Sequence, residues 1–182
     1  MVCFGDKSNF AIECQVSRNL DNQPYINFRL WIDEKPIGDY EDEIPLFGCT
    51  SYLIDFLKFS ETRYEADLEN KSKEEVFAQI FNSVIFTFPE GLTMDDLIRK
   101  NSELYKLTPA PYEKMEERFH LDPLGLSSFA DKFNVILVEK KDRRQRLIWR
   151  NLFDLELHEK VLESQSFESV AAQFLEWSKT KK

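Results

Sequence analysis

Six carboxylates and a single lysine fall in the segment DEKPIGDYEDEIPL, residues 33–46. Four of these carboxylates, on Asp39, Glu41, Asp42 and Glu43, lie within five consecutive residues, and we call residues 39–43 the acidic stretch. Like charges held this close repel one another, so the cluster costs the folded chain some stability. Clustered carboxylates serve proteins as metal ligands, as general acid–base pairs, as a docking surface for a basic partner, or only as solvated surface.

Metal binding and catalysis both fit the acidic stretch poorly. A calcium loop of the EF-hand type needs glycine at its sixth position and glutamate at its twelfth, but counting from Asp39 these positions hold isoleucine and threonine. General acid–base pairs need carboxylates whose environments separate their pKa values, and consecutive exposed carboxylates share one environment. An extended conformation over residues 37–44 would place Asp39, Glu41 and Glu43 on one side as an acidic stripe. Two interpretations remain open: a solvated edge that discourages aggregation, and a docking surface for a basic protein.

A basic hairpin is predicted at residues 140–150, where six basic residues accompany one acidic residue. Such a hairpin can contact RNA, with Trp149 stacking on a base. One basic hairpin on a strongly acidic chain attracts nucleic acid only weakly. A solvated turn that pairs with acidic neighbours is therefore the favoured interpretation.

The remaining reactive side chains form no recognisable catalytic or metal motif. His120 and His158 belong to no ligand pair, and the cysteines, Cys3, Cys14 and Cys49, lack the CxxC spacing of a metal site. Cys14 lies on the apolar face of a predicted strand, which raises rather than lowers the pKa of a thiol. There is no GxSxG, P-loop or GxGxxG sequence. We therefore predict a non-enzymatic protein with no catalytic residues, no metal ligands and no cofactor, whose thiols stay reduced.

Composition and charge narrow the class of protein further. The chain has 182 residues, 42% of them hydrophobic and 14% aromatic, which is enough for one core and excludes a disordered chain. A net charge of −9 argues against binding to nucleic acid or to an anionic membrane. No signal peptide and no membrane-spanning segment is evident, so a cytoplasmic protein is expected.

Hydrophobic periodicity predicts strands at both ends of the chain and helices between them. Alternating residues indicate strands over 9–17 and 25–33, with an edge strand over 37–44, which together make an N-terminal meander. Residues 133–140, apolar on both faces, are predicted as a central strand that pairs with 146–151 in a C-terminal hairpin.

Four helical patterns accompany these strands. Three-to-four spacing predicts a helix or a broken pair over 52–68, capped by Thr50 or Ser51, and further helices over 72–81, 93–105 and 166–177. Residues 120–132 are predicted as irregular, whereas the pattern over 84–88 and over 152–163 does not decide the type of element. The fold class is therefore α+β: a single domain over 1–182, with a mainly antiparallel sheet packed against three to four helices.

Several local patterns resemble those of the immunity protein 42 family. Phe4-Gly5-Asp6 precedes a strand with Phe10-Ala11-Ile12, Leu30-Trp31-Ile32 is followed by Ile37-Gly38-Asp39, and a later hairpin carries RLIW. A Phe-x-x-Trp pattern in the last helix extends the likeness. The match is densest over the first forty residues or so, moderate over roughly the last sixty, and slight in between. The family consists of small bacterial proteins encoded beside polymorphic or contact-dependent growth-inhibition toxins.

This resemblance implies a stoichiometric inhibitor that binds a cognate toxin domain. Toxins of this class are often nucleases with basic grooves, and an acidic inhibitor can occupy such a groove. The residues expected to bind the toxin are Asp39, Tyr40, Glu41, Asp42 and Glu43, with Tyr40 as an aromatic anchor. We expect a monomer or weak homodimer, with neither nucleic acid nor a membrane as partner. The alternatives are a metal-dependent enzyme and an RNA-binding module.

Overall fold

The first half of the chain folds into an antiparallel sheet, as its alternating sequence predicts. In the computed structural model, which describes residues 1–81, 115–121, 124, 128–153 and 156–181, this first sheet has five strands. They are β1 (Val2–Asp6), β2 (Phe10–Leu20), β3 (Gln23–Ile32), β4 (Lys35–Ile37) and β5 (Glu43–Pro45). The strand order is β1-β2-β3-β4, and β5 also pairs with β3.

The hairpin formed by β2 and β3 confirms the two strands predicted over 9–17 and 25–33. Its register pairs Ile12 with Leu30 and Cys14 with Phe28, so the inward side chains of the two strands lie side by side. Asp21 and Asn22, the two residues that connect the strands, both have positive φ. This is the geometry of a type I′ turn, which matches the twist of the flanking strands.

The single edge strand predicted over residues 37–44 is wrong. The chain instead forms two three-residue strands, β4 and β5, and bends between them. Gly38 has a φ of +105°, which side-chain-bearing residues rarely adopt, and it interrupts the extended conformation directly after β4. The carboxylates between the strands therefore do not form the alternating stripe that an extended segment would give.

A second antiparallel sheet comes from the C-terminal half. It contains β6 (Phe133–Glu139), β7 (Gln145–Asn151) and β8 (Leu157–Leu162) in the order β6-β7-β8. The predicted pairing of β6 with β7 is confirmed, and the segment over 152–163 that the pattern left undecided contributes a strand. The prediction that 133–140 is central is wrong, because β7 is the middle strand.

Strand β6 is apolar on both faces because both faces are buried. Val135 and Leu137 join the core beneath the first sheet, whereas Ile136 and Val138 face a second cluster. Its outer edge is also shielded, since the backbone N–H of Glu139 donates to the carbonyl of Arg63 at 3.0 Å. Continuous burial thus produced the same sequence signal that a central strand gives.

Within the described residues, two long helices pack against the first sheet. They are α1 (Leu46–Leu57) and α5 (Ser166–Lys179), and three shorter helices are α2 (Lys73–Phe81), α3 (Met115–Phe119) and α4 (Ser128–Lys132). Helix α5 buries Phe167, Val170, Ala171 and Phe174, as its periodicity predicts. Side chains from both sheets, α1 and α5 share one core, which confirms the α+β class.

The helix boundaries show where local capping signals succeed and fail. Helix α2, which confirms the helix predicted over 72–81, begins with a capping box: the Ser72 N–H donates to the Glu75 carboxylate at 2.9 Å, and the Glu75 N–H donates to the Ser72 hydroxyl at 3.2 Å. The predicted caps of α1 are wrong. That helix begins at Leu46, after Pro45, and Thr50 Oγ1 donates instead to the carbonyl of Phe47 within the helix.

Helix α4 contradicts in part the expectation of irregular structure over 120–132. The helix predicted over 93–105 and the undecided segment over 84–88 both lie outside the described residues. Within the described ranges, no helix has the length and apolarity needed to cross a membrane.

Candidate functional site

The acidic stretch forms a compact turn beside the outer face of the first sheet. Asp39 holds this turn: its carboxylate accepts the Glu41 N–H at 3.1 Å and pairs with Lys132 Nζ, also at 3.1 Å. Its carbonyl accepts the Asp42 N–H at 3.2 Å. The backbone hydrogen bond from Glu41, followed by that from Lys132, lowers the pKa of Asp39. Asp39 is thus a residue that shapes the turn and remains ionised.

Tyr40 lies half-buried over the guanidinium of Arg29, which is 4.6 Å from the centre of its ring. This is cation–π distance. The Tyr40 hydroxyl is buried and makes no hydrogen bond to the described part of the chain. Burial is also the main reason why the pKa of this hydroxyl is raised. The ring therefore has a fixed orientation, and none of the described residues accepts a hydrogen bond from its hydroxyl.

The other three carboxylates differ in how far they reach solvent. Glu41 is exposed, and Glu43 pairs with Arg18 at 2.8 Å at the surface. Asp42 is half-buried, and one of its carboxylate oxygens lacks a hydrogen-bond donor among the described residues. Glu41 and Glu43 are thus the carboxylates of the stretch best placed to meet a partner.

Beside this turn lies an ion-pair network that the sequence did not predict. Glu13 is only 2% exposed, yet its carboxylate accepts hydrogen bonds from Lys7 Nζ at 2.5 Å, Arg29 Nε at 2.6 Å and Trp31 Nε1 at 3.0 Å. Burial alone would raise the pKa of Glu13, but these three bonds outweigh it and lower the pKa to about 2. The strand register could have revealed this network, because it places the opposite charges of Glu13 and Arg29 side by side on the outward faces of adjacent strands.

The network also explains how Trp31 is covered. Two cations lie over its ring, with Lys7 Nζ 4.2 Å and the Arg29 guanidinium carbon 4.7 Å from the centre. Arg29 therefore joins the buried carboxylate, Trp31 and Tyr40 into one rigid patch. A groove of about 390 Å³ runs between this patch and Lys132.

The basic hairpin makes intramolecular pairs, as the favoured interpretation predicted. Lys140 lies 3.7 Å from Glu69, Arg143 lies 3.3 Å from Glu139, and Arg144 pairs with Asp142 at 2.8 Å. Arg146 is largely buried and pairs with Glu159. Trp149 is 3% exposed and stacks on His158 with their ring centres 5.3 Å apart, so it is not available to stack on a base. The RNA-binding alternative loses its main support.

The histidines and cysteines occupy structural positions. His120 is buried, and its carbonyl accepts a hydrogen bond from the Tyr52 hydroxyl at 2.8 Å. Cys14 and Cys49 are buried, Cys3 is exposed, and none forms a disulfide. Burial raises the pKa of Cys14 to about 12, in the direction predicted. In the described parts of the chain, no three or more His, Cys, Asp or Glu side chains are grouped to hold a metal ion.

Comparisons with known proteins identify this chain as a member of a family of immunity proteins. Residues 1–177 match the family profile described as immunity protein 42, so the chain belongs to that family. The resemblance found in the sequence patterns is thereby confirmed. No curated protein matches the chain.

A solved structure shows the same fold. The crystal structure of CdiI from Burkholderia dolosa AUO158 has a TM-score of 0.67 with this chain at 20% identity, covering 97% of this chain and 99% of that chain. The two chains therefore share a fold although their sequences have diverged.

Proposed function

We propose that this chain is the immunity component of a toxin–immunity pair and inhibits its cognate toxin domain by binding to it stoichiometrically. The observation that carries this proposal is the match to the immunity protein 42 family over residues 1–177. The chain acts in the cytoplasm, as a monomer or weak homodimer, without a cofactor. Its cysteines, none of them in a disulfide, suit that reducing compartment.

The toxin is a nuclease, and its basic substrate groove is the surface that the inhibitor blocks. A net charge of −9 supports this choice, because a strongly acidic protein is attracted to the same groove as a nucleic acid. The internal pairing of the basic hairpin also supports it, since the surface left unpaired is then predominantly acidic.

The acidic stretch is the docking surface in this proposal. Glu41 and Glu43 reach solvent and supply the charge, while Asp39 holds the turn through Lys132. The ring of Tyr40 is fixed by Arg29 and makes a suitable aromatic anchor, because tyrosine and arginine are common among residues that dominate binding energy.

Growth protection tests the proposed function. The probe is the C-terminal domain encoded by the toxin gene adjacent to the gene for this chain, expressed alone in a bacterial host. Growth should stop when this domain is expressed and should resume when the chain is co-expressed. Failure of the wild-type chain to protect would overturn the proposal.

Association kinetics test the docking surface separately. Alanine at all four carboxylates would also remove Asp39 from its turn, so the sharper variant is Glu41→Gln with Glu43→Gln, which keeps side-chain shape. We expect slower association, by about 3- to 10-fold at low salt, with a flatter salt dependence. The matched control, Glu74→Gln with Glu176→Gln, makes the same charge change at exposed positions elsewhere. Equal slowing in both variants would show that only net charge matters and would displace the docking surface.

A further inference from the structure

We infer that an apolar groove on the outer side of α1 binds an apolar side chain projecting from the basic surface of the toxin domain. The groove lies next to the acidic stretch and supplies the affinity that charge alone does not. This inference rests on the proposed function and deepens it, since it names the chemistry that the partner must present.

The first observation is that α1 is apolar on two faces. Leu46, Cys49, Leu53 and Phe56 are buried on its inner face. On the outer side, Phe47 is 70% exposed and Ile54 is 49% exposed. These two positions are seven residues apart, which places them on one side of the helix two turns apart. A helix that buries only its inner face needs no large apolar residues on its outer side.

The second observation is that a groove forms against these residues. The turn of the β2–β3 hairpin supplies the facing wall through Asn22 and Pro24, and the enclosed volume is about 330 Å³. That volume lies in the range of ligand-binding clefts. None of the side chains that line the groove is ionisable. Leu20, which is 48% exposed, pairs with Gln23 on the same wall and extends the apolar surface.

The walls are rigid before any partner arrives. Asn22 sits in the type I′ turn, whose geometry is fixed by two consecutive residues with positive φ. Helix α1 is anchored by its buried inner face. A preformed apolar groove loses little conformational entropy on binding, so contacts made in it convert efficiently into affinity.

Charge identifies the occupant. Strand β5 leads directly into α1, so Glu43 lies within about 10 Å of Leu46 along the chain. Asp21 in the hairpin turn places a further carboxylate at the border, whereas Asp55 beside Ile54 pairs with Lys58 at 2.6 Å. An apolar centre with a polar, charged rim is the usual anatomy of a protein interface, and the net charge of −9 on the whole chain favours a basic partner. Two copies of this chain, each with a net charge of −9, would bring acidic rims together and repel.

Dissociation kinetics distinguish this groove from the acidic stretch. With the adjacent-gene toxin domain as probe, Phe47→Ala should accelerate dissociation by roughly 10- to 100-fold and leave the association rate within about 3-fold of wild type. Phe47→Leu, which keeps the side chain apolar, should recover most of the loss. The matched control is Phe153→Ala, which removes an equally exposed ring elsewhere and should leave dissociation unchanged.

The outcomes separate the groove from the proposed function. If the wild-type chain protects the host while Phe47→Ala and wild type dissociate at equal rates, the groove inference is overturned and the inhibitor function stands. If the wild-type chain neither binds nor protects, the function fails and the inference fails with it. If sedimentation shows a wild-type dimer that Phe47→Ala converts to a monomer, the occupant is a second copy and not the toxin. Unchanged unfolding of Phe47→Ala confirms that the variant folds.

Discussion

Replacement of the buried carboxylate Glu13 by glutamine should destabilise the protein strongly at neutral pH and only weakly in acid. The folded environment lowers the pKa of Glu13 from its ordinary value of 4.5 to about 2. The carboxylate therefore contributes stability that is fully present above pH 4.5 and is lost as the pH falls towards 2. A shift of this size corresponds to about 3 kcal/mol at pH 7, falling to about 1.5 kcal/mol at pH 3.

Urea unfolding followed by tryptophan fluorescence at pH 7, 5, 4 and 3 measures this difference. The comparison is between wild type and Glu13→Gln at each pH, because other carboxylates also titrate in this range. Glu74→Gln, at an exposed position, serves as a control and should change the free energy of unfolding by less than about 0.5 kcal/mol. A Glu13→Gln difference below that value at pH 7, or one that stays constant down to pH 3, would refute the electrostatic account of this network.

Four further experiments test the fold, the reactivity of the cysteines and the binding of metal ions. Gly38→Ala should cost about 1–3 kcal/mol in urea unfolding, because φ is +105° and the new Cβ would lie 2.6 Å from Phe129 Cδ2; a neutral substitution would contradict the backbone geometry. Phe174→Ala should cost about 3–5 kcal/mol by creating a cavity in the shared core, and a loss under 1 kcal/mol would contradict its burial. Iodoacetamide followed by mass spectrometry should modify Cys3 in the folded protein well before Cys14, whose pKa is about 12, and the reverse order would contradict their burial. Mg²⁺, Mn²⁺ and Ca²⁺ should leave the melting temperature unchanged, whereas clear stabilisation would favour a metal-dependent enzyme.

Strict alternation was the most informative signal for the fold. It placed β2 and β3 correctly because one face of the first sheet packs on the core while the other carries most of the polar side chains. The same logic failed for β6, since burial on both faces comes here from two separate clusters and not from a central position. Periodicity reports burial, and burial alone does not fix strand order.

Errors around the acidic stretch had local causes. The sequence over 37–44 alternates well enough to predict a strand. The positive φ of Gly38 turns the chain instead. The ion pair between Asp39 and Lys132, which lies far away in sequence, then stabilises the bend. Helix α1 was placed too late because Pro45 precedes it without a side-chain cap. That error hid Phe47 within an assumed loop, so the apolar groove was not predicted.

Sequence patterns were most successful in predicting the family to which the chain belongs. Gly5 and Gly38, both in the matching patterns, have positive φ and no room for a Cβ, which explains physically why glycine stands at these two positions. The location of the proposed docking surface was harder to predict. It depends on which charges stay unpaired after folding, and the partners of Arg18 and Lys132 come from elements distant from them in the sequence.

Titration of the toxin domain's activity, which we propose to be that of a nuclease, with the purified chain tests the central claim most directly. The account predicts that activity falls linearly and reaches zero at one molecule of this chain per molecule of toxin domain, without any divalent cation bound to the inhibitor. Loss of toxin activity at far lower ratios would show that the chain acts catalytically, and full activity at excess chain would show that it does not inhibit this toxin; either result would contradict the account.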